Sequence, residues 1–580
     1  MKTAVFESFD GSRTPWHARF ESPREVREAR TLSEVPAALR LAEEECDRGR
    51  WAVVMLAYES APAFDAALKA HAPCDFPPAL VAVFDRPCPA SNGSANIHRA
   101  YRASPWKPRV SRGSYIAAVQ KIREYIAAGD TYQVNYTIPL ECEFEGDAWS
   151  WYRELGAAQG ARYSAYLDLG ERQVISLSPE LFFERRGERL AARPMKGTMS
   201  RGRWAEEDDD QAARLAACPK NRAENVMIVD LLRNDLGRIS TAGSVRVPSL
   251  FDVERYPSLL QMTSTIESVC KPGLKLTDIL RALFPCGSIT GAPKVRTMEI
   301  IEELERAPRG IYTGAIGIVR PGGDCIFNVA IRTLVLDGPA GRATFGVGGG
   351  ITYDSTPEAE FEECLLKARF LDRPRPDFQL LETILLEDGR FFLLERHIQR
   401  LTASARYFGF PCDVEEVRHR LEQARLARSG GRWKIRLLAG ERGAASVESS
   451  ELAEEDERVW RVRLAPAPID RNDPFIHNKT THRKAYDQAA RKPEDCDDLI
   501  FWNEAGEVTE SSIANIVFTA DGRKWTPPRG AGLLGGTFRD ELLAQGEILE
   551  RAIHRDELRR AEPLFLINSV RKWMRAVLID

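Results

Sequence analysis

The sequence predicts two consecutive domains of mixed strand and helix, a soluble enzyme rather than a repeat array or a membrane protein. Three observations carry this. At 580 residues the chain is too long for one hydrophobic core. The charged run Arg373-Pro374-Arg375-Pro376-Asp377 separates two patterned regions. Proline fixes φ and biases the preceding residue towards extended geometry, so this run cannot continue a helix and reads as a linker. Before it, strand-like and helix-like periods are interspersed. The expected division is 1–372, a linker at 373–377, and 378–580.

Taken in order, Arg162 to Asp168 and Gln173 to Ser178 alternate or carry β-formers, and Leu181 to Arg185 continues that way. The acidic run Glu206 to Asp210 reads as a solvated loop. Ala223 to Leu236 has helical period, with Val226, Val229, Leu232 and Leu236 on one stripe. Gly346 to Gly350 sits between a strand-like run and a helix. It lacks the G-x-G-x-x-G spacing, and Gly287 to Lys294 misses the phosphate-loop pattern, so neither nucleotide fold is indicated. Ser355-Thr356-Pro357-Glu358 reads as a helix start, with hydroxyl caps, an early proline and a first-turn carboxylate.

Composition narrows the function classes. Hydrophobic residues are 43% and charged residues 29%, ordinary for a soluble enzyme. A net charge of −4 gives no reason to expect nucleic acid or an anionic membrane as partner. Met1 to Phe20 lacks the pattern of a secretory signal, and no apolar run is long enough to span a bilayer. The eleven cysteines contain no C-x-x-C pair, which argues against a disulfide framework or a zinc site. A cytoplasmic location is the default expectation. No histidine occurs between His98 and His397, so acid–base work in that stretch must fall to carboxylates and lysines.

Glu360 and Glu363 are three apart on the predicted helix after Ser355, hence on one face, with Lys367 a turn further along. Glu224 opens the other helix. Carboxylates from two helices with no histidine or thiolate nearby favour Mg²⁺ over zinc.

Five ordered motifs then carry a resemblance. They are Gly129-Asp130-Thr131-Tyr132-Gln133-Val134-Asn135, Ser176-Leu177-Ser178-Pro179-Glu180, Pro194-Met195-Lys196-Gly197-Thr198, Met227 to Leu231 with Arg233-Asn234-Asp235, and Gly291-Ala292-Pro293-Lys294. Up to the linker the chain resembles chorismate-utilising enzymes, which implies a two-layered α+β fold. The resemblance implies that Glu224 and Glu363 hold Mg²⁺ on the ring carboxylate of chorismate. It marks Tyr312, Arg332, Gly197, Thr198 and Gly348, Gly349 and Gly350 as substrate-binding. A dication, a guanidinium fork and exposed backbone N–H groups suit a dicarboxylate. Hydroxylating relatives carry a lysine base where Gln133 stands, so water activation is not expected. Anthranilate synthases carry alanine where Lys196 stands. Lysine there resembles aminodeoxychorismate synthase component I, in which it adds to C2 of chorismate while Glu180 protonates the departing C4 hydroxyl. Ammonia then enters at C4 and expels the lysine. That chemistry needs Lys196 with a lowered pKa and Glu180 kept protonated.

Behind the linker, Glu382-Thr383-Ile384, His397-Ile398-Gln399-Arg400-Leu401 with Ser404, Lys479 to Arg483, Val508-Thr509-Glu510, Ala514-Asn515 and Gly532 to Thr537 are weak singly. In this order they resemble class IV pyridoxal-phosphate enzymes, which implies a two-lobed α/β domain. By that resemblance Lys479 forms the Schiff base, Glu510 faces the pyridine nitrogen, and Arg400, Gly536 and Thr537 hold the phosphate. Asn568 and Ser569 are expected to border the pocket. Lys479 is also expected to remove the C4 proton of aminodeoxychorismate, so that pyruvate leaves and 4-aminobenzoate, a folate precursor, forms. An amino-acid transaminase in the second half, and a non-catalytic binding module, stay open as alternatives. With no G-x-C-x-G turn, and with Cys412 and Cys496 poorly placed for a thiolate, ammonia is expected free or from a separate glutamine amidotransferase subunit. Homodimerisation through the second domain is allowed by the resemblance.

Overall fold

The computed structural model describes residues 1–10, 16–73, 76–89, 99–372, 375–428, 430–453 and 458–579. The linker expected at 373–377 begins on Arg373 and Pro374, which lie outside the described residues. Two compact units emerge: Met1–Arg201 with Ala212–Arg375, and Gly202–Gln211 with Pro376–Asp580.

The first unit contains two ten-stranded sheets. Strands such as Ala79–Phe84 are buried at every position, which requires cover on both faces. A buried cluster containing Phe6, Leu167 and Val174 from one sheet and Val53, Leu80 and Ile316 from the other fills the space between the sheets. The outer face of one sheet packs on the helices Val35–Asp47, Pro219–Ile239 and Leu276–Leu283. The outer face of the other packs on Arg112–Ala127, Ala148–Gln159 and Pro357–Ala368. The result is four layers, helix–sheet–sheet–helix, in place of the expected two. Two sheets apolar on both faces cannot be covered by one helical layer.

The strands Tyr163–Asp168, Arg172–Ser178 and Leu181–Arg186 form where the alternation places them. Three local readings change. The Pro219–Ile239 helix buries Asn225, Ile228, Val229, Leu232, Asp235, Leu236 and Ile239, while Val226 is exposed. Val229, Leu232 and Leu236 thus lie on the buried face as expected and Val226 alone leaves it, with Asn225 buried beside it; the helix begins at Pro219, so Glu224 lies inside it rather than opening it. Gly346 to Gly350 belongs inside the strand Arg342–Ile351 rather than after it. Thr356 is the N-cap of Pro357–Ala368 but makes no side-chain capping bond; the Ser355 hydroxyl instead donates to Glu360 at 2.7 Å.

The second unit has two lobes. A four-stranded antiparallel sheet built on Leu380–Glu387 and Arg432–Ala439 packs with the helices Leu394–Phe408 and Val414–Leu426. A mixed eight-stranded sheet runs through Asp498–Trp502, Val508–Ser511, Asn515–Ala520 and Lys572–Leu578. The acidic run Glu206 to Asp210 is not a solvated loop. It lies in the helix Ala205–Ala217, with Asp208 buried and accepting the Gly202 N–H. Residues 202–211 pack within this unit. Tyr407 donates to the Gly202 carbonyl, Asn478 to that of Arg203, and Arg406 pairs with Asp209.

Candidate active sites

In the first unit, strand pleat and one bulge assemble a cavity. Along Arg342–Ile351, Ala343, Phe345 and Val347 alternate into the core, leaving Gly346, Gly348 and Gly350 on the opposite side. Side chains there would collide: a Cβ on Gly346 would come within 2.2 Å of the Tyr312 ring, and one on Gly350 within 1.8 Å of Gln133 Nε2. Opposite, the strand Met195–Ser200 shifts register against Leu259–Val269 between Met195 and Thr198, with Gly197 at φ +97°. The irregularity falls on Lys196 and Gly197 and re-aims Lys196. Gln261 donates to the Gly197 carbonyl at 3.2 Å, and Asn225 to that of Lys196 at 3.4 Å.

The cavity brings together every residue expected in the first domain: Glu180, Lys196, Gly197, Thr198, Glu224, Tyr312, Arg332, Gly348, Gly349, Gly350 and Glu363. Burial lowers the Lys196 pKa, against the opposing pull of Glu224 and Glu180. Burial also pushes Glu180 up to about 7, although Ser288 donates to it at 2.7 Å. Burial thus favours the neutral amine of Lys196 and the protonated carboxyl of Glu180, the latter present near neutral pH. Arg332 is brought down to about 10 by burial, and its buried Nη1 has no partner, so the cavity holds an unfilled donor suited to an anion.

Burial raises the Glu224 carboxyl, and the Glu363 charge adds to the rise; Lys367, at 2.8 Å, holds Glu363 down. Among the described residues no three of His, Cys, Asp and Glu converge on a metal point. Two carboxylates with oxygen-only donors still fit a hard cation that takes its remaining ligands from substrate and water. The sequence reasoning did not single out Lys220 and Asn221, which line the cavity beside Glu224. Their spacing, four and three residues before Glu224 on one helix, was the available signal.

The second cavity is lined by Arg400, Lys479, Glu510, Gly536, Thr537, Asn568 and Ser569, again bringing together the expected set. Leu381 N–H donates to the Lys479 carbonyl at 2.9 Å, tying the lysine segment to the strand Leu380–Glu387. Burial, reinforced by Arg400, lowers Lys479 to about 8. Burial raises Glu510 to about 7, while Tyr486, the Leu534 N–H and Asn515 donate to its carboxylate. A half-buried amine of lowered pKa, a carboxyl group lining the same cavity, and a guanidinium beside the start of the Thr537–Ala544 helix fit a pyridine cofactor bearing a phosphate. A Cβ on Gly536 would meet Asn515 Oδ1 at 2.0 Å, which keeps the helix entrance to glycine. Unsingled in the sequence were Tyr486 and the joint roles of Glu382 and His397, described below.

Residues 4–373 match the profile of chorismate binding enzymes. The chain belongs to that family. Residues 379–579 match amino-transferase class IV. Over 264 residues, 46% of this chain, it is 44% identical to an aminodeoxychorismate synthase component 1 from Escherichia coli (strain K12) and covers 58% of that protein. Over 267 residues, 46% of this chain, it is 40% identical to an anthranilate synthase component 1 from Aquifex aeolicus (strain VF5), covering 53% of it. The chain thus spans little more than half the length of these curated relatives. The crystal structure of anthranilate synthase component I from Streptococcus pneumoniae TIGR4 superposes with a TM-score of 0.53 at 24% identity, covering 64% of this chain and 92% of that one, a likeness of fold. No helix among the described residues is long and apolar enough to cross a membrane.

Proposed function

We propose that the first unit aminates chorismate to 4-amino-4-deoxychorismate and the second eliminates pyruvate from it to give 4-aminobenzoate, supplying folate synthesis in the cytoplasm. Relatives named for two different aminations align almost equally well, so identity does not choose between them. The observation that carries the choice is Lys196, half-buried in the cavity wall with a lowered pKa and lining the same space as Glu180. Lys196 adds to C2 as the C4–O bond breaks, and Glu180 gives its proton to the leaving hydroxyl. Ammonia then bonds to C4 and the C2–lysine bond breaks, returning the amine. Arg332 binds a substrate carboxylate, and Glu224 with Glu363 would hold Mg²⁺, which supplies charge neutralisation for a second carboxylate.

In the second unit Lys479, Glu510, Arg400, Gly536 and Thr537 would hold pyridoxal phosphate, which supplies an electron sink when bound. With a pKa lowered to about 8, Lys479 is suited to taking the C4 proton of the substrate. Nitrogen comes as ammonia from a separate glutaminase subunit. The thiols of Cys412 and Cys496 are raised by burial, the reverse of what a glutaminase nucleophile needs. The deciding experiment incubates the chain with chorismate, ammonium, Mg²⁺ and pyridoxal phosphate. 4-Aminobenzoate with equimolar pyruvate is expected. Anthranilate as the product refutes the first assignment, and accumulated aminodeoxychorismate with no pyruvate refutes the second.

A further inference from the structure

Three buried groups meet at one end of the second cavity. The Glu382 carboxylate accepts from Arg400 Nε at 2.9 Å and Nη2 at 2.6 Å, and from His397 Nδ1 at 2.6 Å. The other ring nitrogen, Nε2, lies 3.3 Å from Thr537 Oγ1. Glu382 and His397 are each 1% exposed, whereas Arg400 and Thr537 line the cavity. Arg400 and His397 overcome the effect of burial and hold the Glu382 carboxyl at about 2, so it is ionised and can only accept.

This fixes the tautomer. Nδ1 of His397 carries a proton in either charge state, because a carboxylate faces it, and Nε2 is the position that changes. With the ring neutral, Nε2 accepts, and the Thr537 hydroxyl must spend its proton on it. That hydroxyl then offers only lone pairs to the cavity, which repel a phosphate oxygen. With the ring charged, Nε2–H donates to Oγ1 and frees the hydroxyl proton to point into the cavity.

We propose that His397 is a positioning residue that couples phosphate binding to proton uptake: a phosphate monoester enters the second cavity as Nε2 gains a proton from solvent, turning the Thr537 hydroxyl from acceptor to donor. This rests on the class IV reading of the cavity. The groups facing the ring are Glu382 from its strand, Arg400 from the same helix, Lys479 from its loop, and Thr537 from the start of the Thr537–Ala544 helix. Burial keeps the imidazole pKa low, Arg400 and Lys479 add to that, and Glu382 opposes it. An arriving dianion reverses the balance.

The test titrates the full chain with pyridoxine 5′-phosphate, which lacks the aldehyde and cannot bond to Lys479. Calorimetry near pH 8 in buffers of different ionisation enthalpy counts protons, because the ligand phosphate is then a dianion. Wild type is expected to take up approaching one proton per site more than His397→Gln; Glu510 and Lys479 titrate in both proteins and cancel. Wild-type affinity should also fall more steeply with rising pH. Should the variant fail to fold, the wild type labelled with ¹³C-histidine supplies the second readout, one of its eight imidazoles becoming charged on ligand addition. Tight binding with equal proton counts, or with every imidazole unchanged, overturns the coupling alone. No binding by wild type overturns the class IV reading and the coupling with it.

Discussion

At the scale of single residues the two cavities share one device, a partly buried lysine of lowered pKa near a buried carboxyl. In the proposed amination Glu180 would serve only while protonated. With its pKa pushed up to about 7, amination at fixed free ammonia should decline as pH rises beyond neutrality. Glu180→Gln should lose that alkaline limb along with roughly 10²–10⁴-fold in rate. A limb that survives in the variant belongs to another group. Lys196→Ala should cut aminodeoxychorismate formation by roughly 10³-fold or more, since covalent addition is lost. Product analysis checks it, and undiminished output removes lysine as the nucleophile. Glu224→Gln should raise the Mg²⁺ concentration needed for half activity and the KM for chorismate together, because Glu224 and Glu363 would hold the ion that neutralises a substrate carboxylate. A rise in only one of the two separates metal from substrate.

At the scale of elements, the strand Arg342–Ile351 faces the first cavity with glycine at alternate positions. Gly350→Ala would drive a methyl into Gln133 and to 3.3 Å from Lys196 Nζ. Overpacking of this kind costs about 1–3 kcal/mol. The variant should melt earlier and lose amination, while lyase activity on supplied aminodeoxychorismate persists. Thermal denaturation and the two separate assays check this; equal loss of both reactions contradicts the independence of the two sites. The period-2 reading needed for this strand was hidden in the sequence, because a run of glycines has no hydrophobic contrast. Its placement emerges only from the register with Asn135 to Thr137.

At the scale of the whole molecule, the second unit is not continuous in sequence. A fragment beginning at Pro376 lacks Gly202–Gln211. It loses the bonds from Tyr407 and Asn478 and the packing of Trp204 on His477, whose rings are 5.0 Å apart. Each such hydrogen bond contributes about 1 kcal/mol, so the fragment should be less stable by a few kcal/mol. A fragment carrying residues 202–211 through a short added linker should recover the loss, as read by urea denaturation. Equal stability of the two fragments makes the segment dispensable. In the full chain Lys479→Ala should remove lyase activity and leave amination intact, with aminodeoxychorismate accumulating.

Motif order made the residues of both candidate sites legible in the sequence, and the chemistry expected of them came from the families those motifs resemble; strand alternation and helix starts are written within a few neighbouring residues. Tertiary structure alone decided what those residues are able to do. The lowered pKa of Lys196 comes from burial by groups far along the chain, and its aim from a register shift set by Leu259–Val269. The Glu206 to Asp210 run looked solvated because its charges are local, while the Arg406 and Tyr407 that receive this segment are some two hundred residues away. Local period and propensity are carried by adjacent residues, but burial, charge coupling and register are properties of contacts between distant ones.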